Sequence, residues 1–328
     1  MIGVGVIGAG RIGKIHAANL YRHPDADLRY IVDVSDAAAS ELAAACSTQT
    51  GSIDALLGDD SIDAVVIASS TDTHADLVCA AARAGKAIFC EKPLDLDVKT
   101  AIRSLGAVDE SGVLLCLGFN RRHDPSFDRL KREIDDGKVG DVEVVSITSR
   151  DPSPPPIDYI GHSGGLFRDM MIHDFDMGRW LLGEEPVEVY AVGSVLVDQS
   201  IGDAGDVDTA VATLKTASGR LCQITNSRRC SYGYDQRIEV FGSNGMARAD
   251  NQRETLVEVA GSSGFTSDPT LPFFLERYAD AYRIQIDKFL RAVNGERLNL
   301  PSGNDGLRAL QLADAAQRAS DEGHPVAV

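Results

Sequence analysis

The 328-residue chain has few basic residues, no closely spaced cysteine pairs and no long apolar run. Lys and Arg number 32 against 49 Asp and Glu, a formal net charge of −17. That balance excludes the basic footprint of a nucleic-acid binder and the polybasic face of a membrane-surface protein. It disfavours polyanionic substrates and suits a neutral small molecule, although acidity is first of all a matter of solubility. The six cysteines, at 46, 79, 90, 116, 222 and 230, form no Cys-x-x-Cys pair and no Cys/His cluster of zinc-site spacing. Neither a disulfide framework nor a metal site is expected. Cys90 and Cys116 sit in apolar runs, where a thiol is a small core residue, and this suits a reducing compartment. No apolar run reaches the roughly 18 residues of a membrane span. The first residues carry neither a charged n-region nor a cleavage site. The expectation is a cytoplasmic protein that meets neither membrane nor nucleic acid.

Length divided by about 150 predicts two domains. A composition 44% hydrophobic and 25% charged is globular, and a chain this long can bury a core without staples. Up to residue 119, short apolar runs (2–7, 28–32, 64–68, 87–90, 113–117) alternate with helical patterns (11–21, 36–46, 73–84, 98–110). Such alternation predicts an N-terminal Rossmann domain over 1–119, a doubly wound parallel sheet covered on both faces. From 120 to 328 the grammar changes. A proline-rich stretch at 151–156 precedes a helix expected over 170–182. Alternating strands then run from 187 to 259, separated by Asp-Gly, Ser-Gly and Asn-Gly turns. This predicts a C-terminal α+β domain with a largely antiparallel open sheet, so the fold class is α/β plus α+β.

Gly8-Ala-Gly10-Arg-Ile-Gly13 follows a predicted strand and opens a predicted helix. In that context the first glycine permits a tight turn and the second lets backbone approach a pyrophosphate. The third allows close helix–strand packing. Asp33 stands 20 residues beyond Gly13 at the end of the second strand, where a carboxylate accepts hydrogen bonds from ribose hydroxyls. It would repel a 2′-phosphate, so NAD is favoured over NADP.

Two further signals carry chemistry. Glu91-Lys92-Pro93 directly follows a strand, which places Lys92 at the ligand-binding edge of a parallel sheet, with the alternative of a solvated turn lysine. Asp169 and His173 are four apart, a spacing that lets a carboxylate orient an imidazole on one helix face. Asp169 also reads as an N-terminal cap or first-turn acid, and a metal reading of His173 with Asp169, Asp174 or Asp176 stays open.

In order along the chain, Gly8-x-Gly10-x-x-Gly13, Glu91-Lys92-Pro93, Gly118-Phe-Asn-Arg-Arg122 and Asp169-x-x-x-His173 resemble the glucose–fructose oxidoreductase/inositol dehydrogenase (Gfo/Idh/MocA) family. The segments 167–176, 226–229 and 232–235 are similar to its inositol 2-dehydrogenase branch. The resemblance implies NAD-dependent oxidation of a ring hydroxyl of myo-inositol to 2-keto-inositol, in a homotetramer or dimer. It implies Lys92, Asp169 and His173 as the catalytic set, with Arg121, Asp176 and Tyr234 adding substrate contacts. Cofactor contacts are implied at Gly8, Gly10, Arg11, Ile12, Gly13, Asp33, Ser69, Thr71, His74, Glu91 and Lys92. His74 reads equally as a helix-start residue, Arg121 as a salt-bridge arginine and Tyr234 as a packed aromatic. The alternatives in function are a dehydrogenase of scyllo-inositol or a pyranose sugar, and a catalytically silent NAD-binding sensor.

Overall fold

The computed structural model describes residues 1–328. Its compact units follow the chain in four segments: residues 1–123 with 280–310, and residues 124–279 with 311–328.

The first unit begins β1 (Ile2–Ile7), α1 (Arg11–Arg22), β2 (Ala26–Val32), α2 (Asp36–Ala45), β3 (Gln49–Thr50) and α3 (Ile53–Gly58). It continues with β4 (Ala64–Ile67), α4 (Thr71–Arg83), β5 (Ala87–Cys90), α5 (Val98–Ser111) and β6 (Leu115–Leu117). The strands form one parallel sheet in the order β3-β2-β1-β4-β5-β6, the doubly wound arrangement expected from the alternating pattern. Every residue of β1 is buried, as a strand covered on both faces requires. Helix α1 buries Gly13, His16, Ala17 and Leu20, one stripe at helical spacing, against that sheet. Residues 280–310 return to this unit for a local reason. Ile286, Phe289 and Leu290 are fully buried among Val4, Val6, Phe89 and Cys116, and Leu117 N–H donates to the Pro301 carbonyl at 2.8 Å.

The second unit contains α6 (Pro125–Asp135), β7 (Val142–Arg150), α7 (Ile157–Ser163), α8 (Gly165–Asp169) and α9 (Ile172–Leu182). Then come β8 (Pro186–Ser194), α10 (Gln199–Asp203), β9 (Thr209–Thr216), β10 (Leu221–Ser227), β11 (Asp235–Gly242) and β12 (Gly245–Ala249). A short hairpin of β13 (Glu258–Gly261) and β14 (Gly264–Ser267) precedes α11 (Phe274–Arg277), and β15 (Val326–Ala327) ends the chain. Two longer helices, α12 (Ala279–Val293) and α13 (Gly303–Glu322), lie between α11 and β15 in the sequence. The large sheet has the order β12-β11-β7-β10-β9-β8-β15, antiparallel except for the parallel pair β7–β10. Burial alternates along β9, β10 and β11, so one face is packed and the other open. The open face carries a register row of Met246, Phe241, Val144 and Leu221, of which Met246, Phe241 and Leu221 are exposed.

One helix boundary differs from the sequence expectation. The run expected as a single helix over 170–182 is broken before Ile172, because Met171 N–H bonds the Leu166 carbonyl, five residues back, at 2.9 Å. This makes a wide turn of the π type over residues 166–171, with Asp169 inside it. Asp169 therefore ends α8 while His173 lies in the first turn of α9, and neither a shared helix face nor an N-terminal cap describes Asp169.

The start of α6 depends on Asp124, whose carboxylate accepts the Ser126 and Phe127 N–H groups while Pro125 takes the first helical position. The same carboxylate pairs with the Arg277 guanidinium, both side chains about 1% exposed, and Arg277 also lies over the Phe127 ring at 5.1 Å. Asp124→Ala would strip the cap and leave a buried cation without its partner. Urea unfolding of this variant is expected to show a loss of about 3–5 kcal/mol, whereas a loss under about 1 kcal/mol would contradict the role given to the pair.

Candidate active site

In the first unit the glycine turn is built by close approach. Gly8 has φ +110°, and a Cβ there would lie 2.4 Å from the Ala68 carbonyl oxygen. A Cβ on Gly13 would lie 1.9 Å from the Gly8 carbonyl oxygen, so only glycine lets α1 pack this closely on β1. At Gly10 a Cβ would meet nothing within 4 Å, and no side chain caps the start of α1. An open space above an uncapped helix N-terminus, where Arg11 and Ile12 begin the first turn, fits a dinucleotide pyrophosphate. Asp33 is anchored beside it: its carboxylate accepts Ala9 N–H at 2.6 Å and Ser35 N–H at 2.8 Å. Each oxygen retains a lone pair for a ribose hydroxyl.

The other expected cofactor residues divide into two groups. Ser69 lies just beyond β4, its hydroxyl 2.7 Å from that of Thr73, and Thr71 opens α4. His74 is buried, with Nδ1 2.8 Å from the Pro93 carbonyl and Nε2 3.1 Å from the Ser69 carbonyl. Its ring is thus held by backbone, which favours neither a ring contact to nicotinamide nor a bare helix-start role. Glu91 is also turned inward, with Oε1 2.7 Å from His16 Nε2. Lys92, half-buried, follows Glu91 at the end of β5 and precedes a cis peptide to Pro93.

Arg121 belongs to the same unit. It lies in a 3₁₀ turn, Asn120–His123, of which all four residues are buried. Arg122 in that turn donates to Asp305 at 2.8 Å. His123, which the sequence reading did not single out, is 2% exposed and has no hydrogen-bond partner at either ring nitrogen. Burial, helped by the nearby Lys288 and Arg122 cations, pushes its pKa down to about 3.

The second unit carries Asp169 and His173. Tyr159 OH donates to Asp169 Oδ1 at 2.9 Å, and Arg228 Nη1 lies 3.6 Å from Oδ2. A carboxylate at the C-terminal end of a helix gains nothing from the helix dipole, so these partners stabilise it instead. Arg228 is 1% exposed and lies between Asp169 and Asp206, 3.7 Å from the latter, and Leu166 N–H anchors Asp206 at 3.0 Å. Half-buried His173 is one residue before Asp174, whose carboxylate accepts Ser149 OH at 2.6 Å and Asn226 Nδ2 at 2.9 Å. That pairing leaves Asp174 as a structural anchor of α9. Asp176 is buried in the same helix, 3.9 Å from Arg179. Tyr234 is buried with its ring edge-on to Phe273 and Tyr278, at 6.3 and 5.9 Å between centroids. His162, six residues after the last of the prolines, lies in α7 with Nδ1 2.9 Å from the Asp158 carbonyl. No group of three or more His, Cys, Asp or Glu side chains is placed to hold a metal ion. All six cysteines are free and buried, and no helix is long and apolar enough to cross a membrane.

A doubly wound parallel sheet with this glycine turn defines a dinucleotide-binding protein. Residues 2–119 match the oxidoreductase family's NAD-binding Rossmann fold, and residues 131–328 match its C-terminal alpha/beta domain. The chain belongs to the Gfo/Idh/MocA oxidoreductase family and binds NAD in its Rossmann fold. It is 52% identical to an inositol 2-dehydrogenase from Rhizobium meliloti (strain 1021), over 99% of this chain and 98% of that protein. It is 49% identical to a myo-inositol 2-dehydrogenase from Thermotoga maritima, over 97% of this chain and 96% of that one. The crystal structure of a myo-inositol dehydrogenase from Corynebacterium glutamicum superimposes with a TM-score of 0.95 at 40% identity, covering 100% of this chain and 99% of the other.

The His123 environment has a measurable consequence. An unfolded imidazole takes up its proton near pH 6.5, whereas the folded ring does so only near pH 3. Between those values the unfolded chain binds more protons, so stability present above pH 6.5 is lost as pH falls. His123→Phe removes this contribution. Between pH 7 and pH 5 the variant should lose roughly 2 kcal/mol less stability than the wild type, read from urea midpoints at both pH values. Equal losses would show that the ring is protonated in the fold.

Proposed function

We propose that the protein is an NAD-dependent inositol 2-dehydrogenase that oxidises a ring hydroxyl of myo-inositol to 2-keto-inositol. The observation that carries the substrate is the 52% identity, over nearly the whole of both chains, to the Rhizobium inositol 2-dehydrogenase. The presence of Lys92, Asp169 and His173 in this chain supports turnover rather than silent binding. In this reading residues 1–119 hold the cofactor, and residues 120–328 serve substrate binding and association.

Bound NAD supplies the oxidant, accepting the hydrogen and electron pair that leave the hydroxyl-bearing carbon. The protein's own groups handle the oxygen. His173 takes the hydroxyl proton as general base, while Asp169, hydrogen-bonded by Tyr159 and close to Arg228, orients and stabilises the imidazolium. Lys92 donates hydrogen bonds to the same oxygen and stabilises the negative charge that develops on it. Arg121, Asp176 and Tyr234 position the remaining ring hydroxyls. The glycine turn, with Gly8, Gly10, Arg11, Ile12 and Gly13, holds the pyrophosphate, and Asp33 holds the adenosine ribose. The neighbouring loop from Ser69 to Thr71 completes the cofactor side.

The reading includes a homo-oligomer, with a tetramer ahead of a dimer. Its support is the exposed apolar row of Met246, Phe241 and Leu221 on the open sheet face, a surface that a second copy would cover. A cytoplasmic location belongs to the same reading, supported by six free, buried thiols.

NAD reduction assayed with myo-inositol, scyllo-inositol, galactose and glucose tests the substrate. Myo-inositol is expected to give the highest kcat/KM, at least about tenfold above the others, equivalent to about 1.4 kcal/mol. A higher value for a pyranose would move the enzyme to sugar oxidation, and no turnover with any of the four would favour a silent binder. His173→Ala should lower kcat about 100-fold or more while leaving the NAD dissociation constant within about threefold. Near-normal kcat in that variant would remove His173 from the proton transfer.

A further inference from the structure

Lys92 is flanked on both sides by residues whose polar atoms are gripped by buried histidines. On the amino-terminal side stands Glu91. Its Oε1 lies 2.7 Å from Nε2 of His16, a ring with no exposed side-chain surface, and its Oε2 accepts the Lys92 N–H at 3.3 Å. A carboxylate offers no hydrogen, so His16 Nε2 must carry the proton of that bond. The imidazole cannot swing away, because Phe89 and Tyr282 pack edge-on against it at 5.0 and 5.9 Å. The carboxylate is equally confined. A Cβ on Gly118 would come within 2.7 Å of Glu91 Oε2, so the slot exists only because residue 118 has no side chain. On the carboxyl-terminal side the Pro93 carbonyl is held by His74 Nδ1 at 2.8 Å.

The two histidines come from α1 and α4, the helices that start at the glycine turn and at the Ser69–Thr71 loop. The backbone at Lys92 is therefore tied to the two segments that line the cofactor end of the parallel sheet. We propose that His16, acting through Glu91, and His74, acting through the Pro93 carbonyl, are positioning residues that fix Lys92 for catalysis. The inference rests on the reading of Lys92 as the donor to the reacting oxygen. Neither histidine touches substrate or cofactor in this account. Each acts by denying the Lys92 backbone the freedom to drift, and a displacement of about 1 Å at such a group costs on the order of 100-fold in rate.

The test uses the full chain with NAD and myo-inositol. His16→Leu removes the donor, and His16→Gln keeps an N–H donor in nearly the same place. His16→Leu should lower kcat about 10- to 100-fold with the NAD dissociation constant within about threefold, and His16→Gln should recover most of the loss. In a Lys92→Met background, His16→Leu should lower the single-turnover rate by less than about twofold, since the group it positions is gone. A second readout needs no turnover. Acetylation of Lys92 in the cofactor-free protein, followed by mass spectrometry, should be several-fold faster in His16→Leu than in wild type and near wild type in His16→Gln. Should His16→Leu not fold, His74→Leu takes its place with the same measurements, and His74→Asn, which keeps an N–H donor near the position of Nδ1, serves as its rescue. Unchanged kcat and acetylation in a folded variant would overturn the inference. So would a kcat loss that merely follows lost NAD binding, or a full additional loss in the Lys92→Met background. Lys92→Met alone separates the two levels: normal turnover there defeats the role given to Lys92 itself, whereas an inactive Lys92→Met beside a normal His16→Leu defeats only the positioning.

Discussion

The approach of Gly13 to the Gly8 carbonyl is the constraint from which the first unit follows. With 1.9 Å between that oxygen and the place a Cβ would occupy, no other residue lets α1 lie so close to β1. The closeness aims the uncapped start of α1 at the open space over Gly10. It also fixes what the rest of the helix can reach. His16, one turn further on, meets Glu91 at the end of β5, and Ala17 and Leu20 enter the core of the sheet. One steric fact about two glycines therefore sets an anion-binding helix end and the surroundings of Lys92 together. A substitution at Gly13 would move α1 outward and disturb both.

The second unit handles its charges differently. Asp124 with Arg277 and Asp174 with Ser149 and Asn226 are buried groups whose partners are made within normal hydrogen-bonding networks. Arg228 is looser. It lies 3.6 and 3.7 Å from the carboxylates of Asp169 and Asp206, close enough for strong Coulomb attraction but beyond a good hydrogen bond. The buried Arg228 cation attracts the Asp169 carboxylate from one side while the Tyr159 hydroxyl donates to its Oδ1. In the proposed reading this is the carboxylate that orients the His173 imidazole.

Much of this was legible from the residues. The alternation of apolar runs and helical patterns specified the parallel sheet, because β4 and β5 are short, wholly apolar and bounded by helix starts. The glycine spacing specified the cofactor turn for the same reason that only glycine fits there. What could not be read depends on contacts distant in sequence. His16 and Glu91 are 75 positions apart, and nothing local in either segment shows that they meet. His74 reads equally as a cofactor contact and as a helix-start residue, and its partner, the Pro93 carbonyl, carries no sequence signal at all. The break between Asp169 and His173 was hidden as well: Met170, Met171 and Ile172 satisfy a helical pattern, and the bond from Met171 to Leu166 is a choice of backbone. The motif order supplied Glu91, His74, Asp169 and His173 as candidates, while His16 and the local geometry of all of them had to come from the fold.

The net acidity of the chain acquires a definite meaning from the same geometry. A chain of net charge −17 has to accept a cofactor whose pyrophosphate is dianionic. Surface carboxylates act weakly at that distance, since screening at physiological salt extends only about 8 Å. The amides at the start of α1 act at contact, in a space that Gly10 keeps open and that no capping side chain competes for. Attraction of the cofactor is therefore local and backbone-borne, so it is insensitive to the net charge. A neutral polyol feels neither field strongly and must be recognised by hydrogen bonds, which is where buried groups such as Arg121, Asp176 and Tyr234 would act.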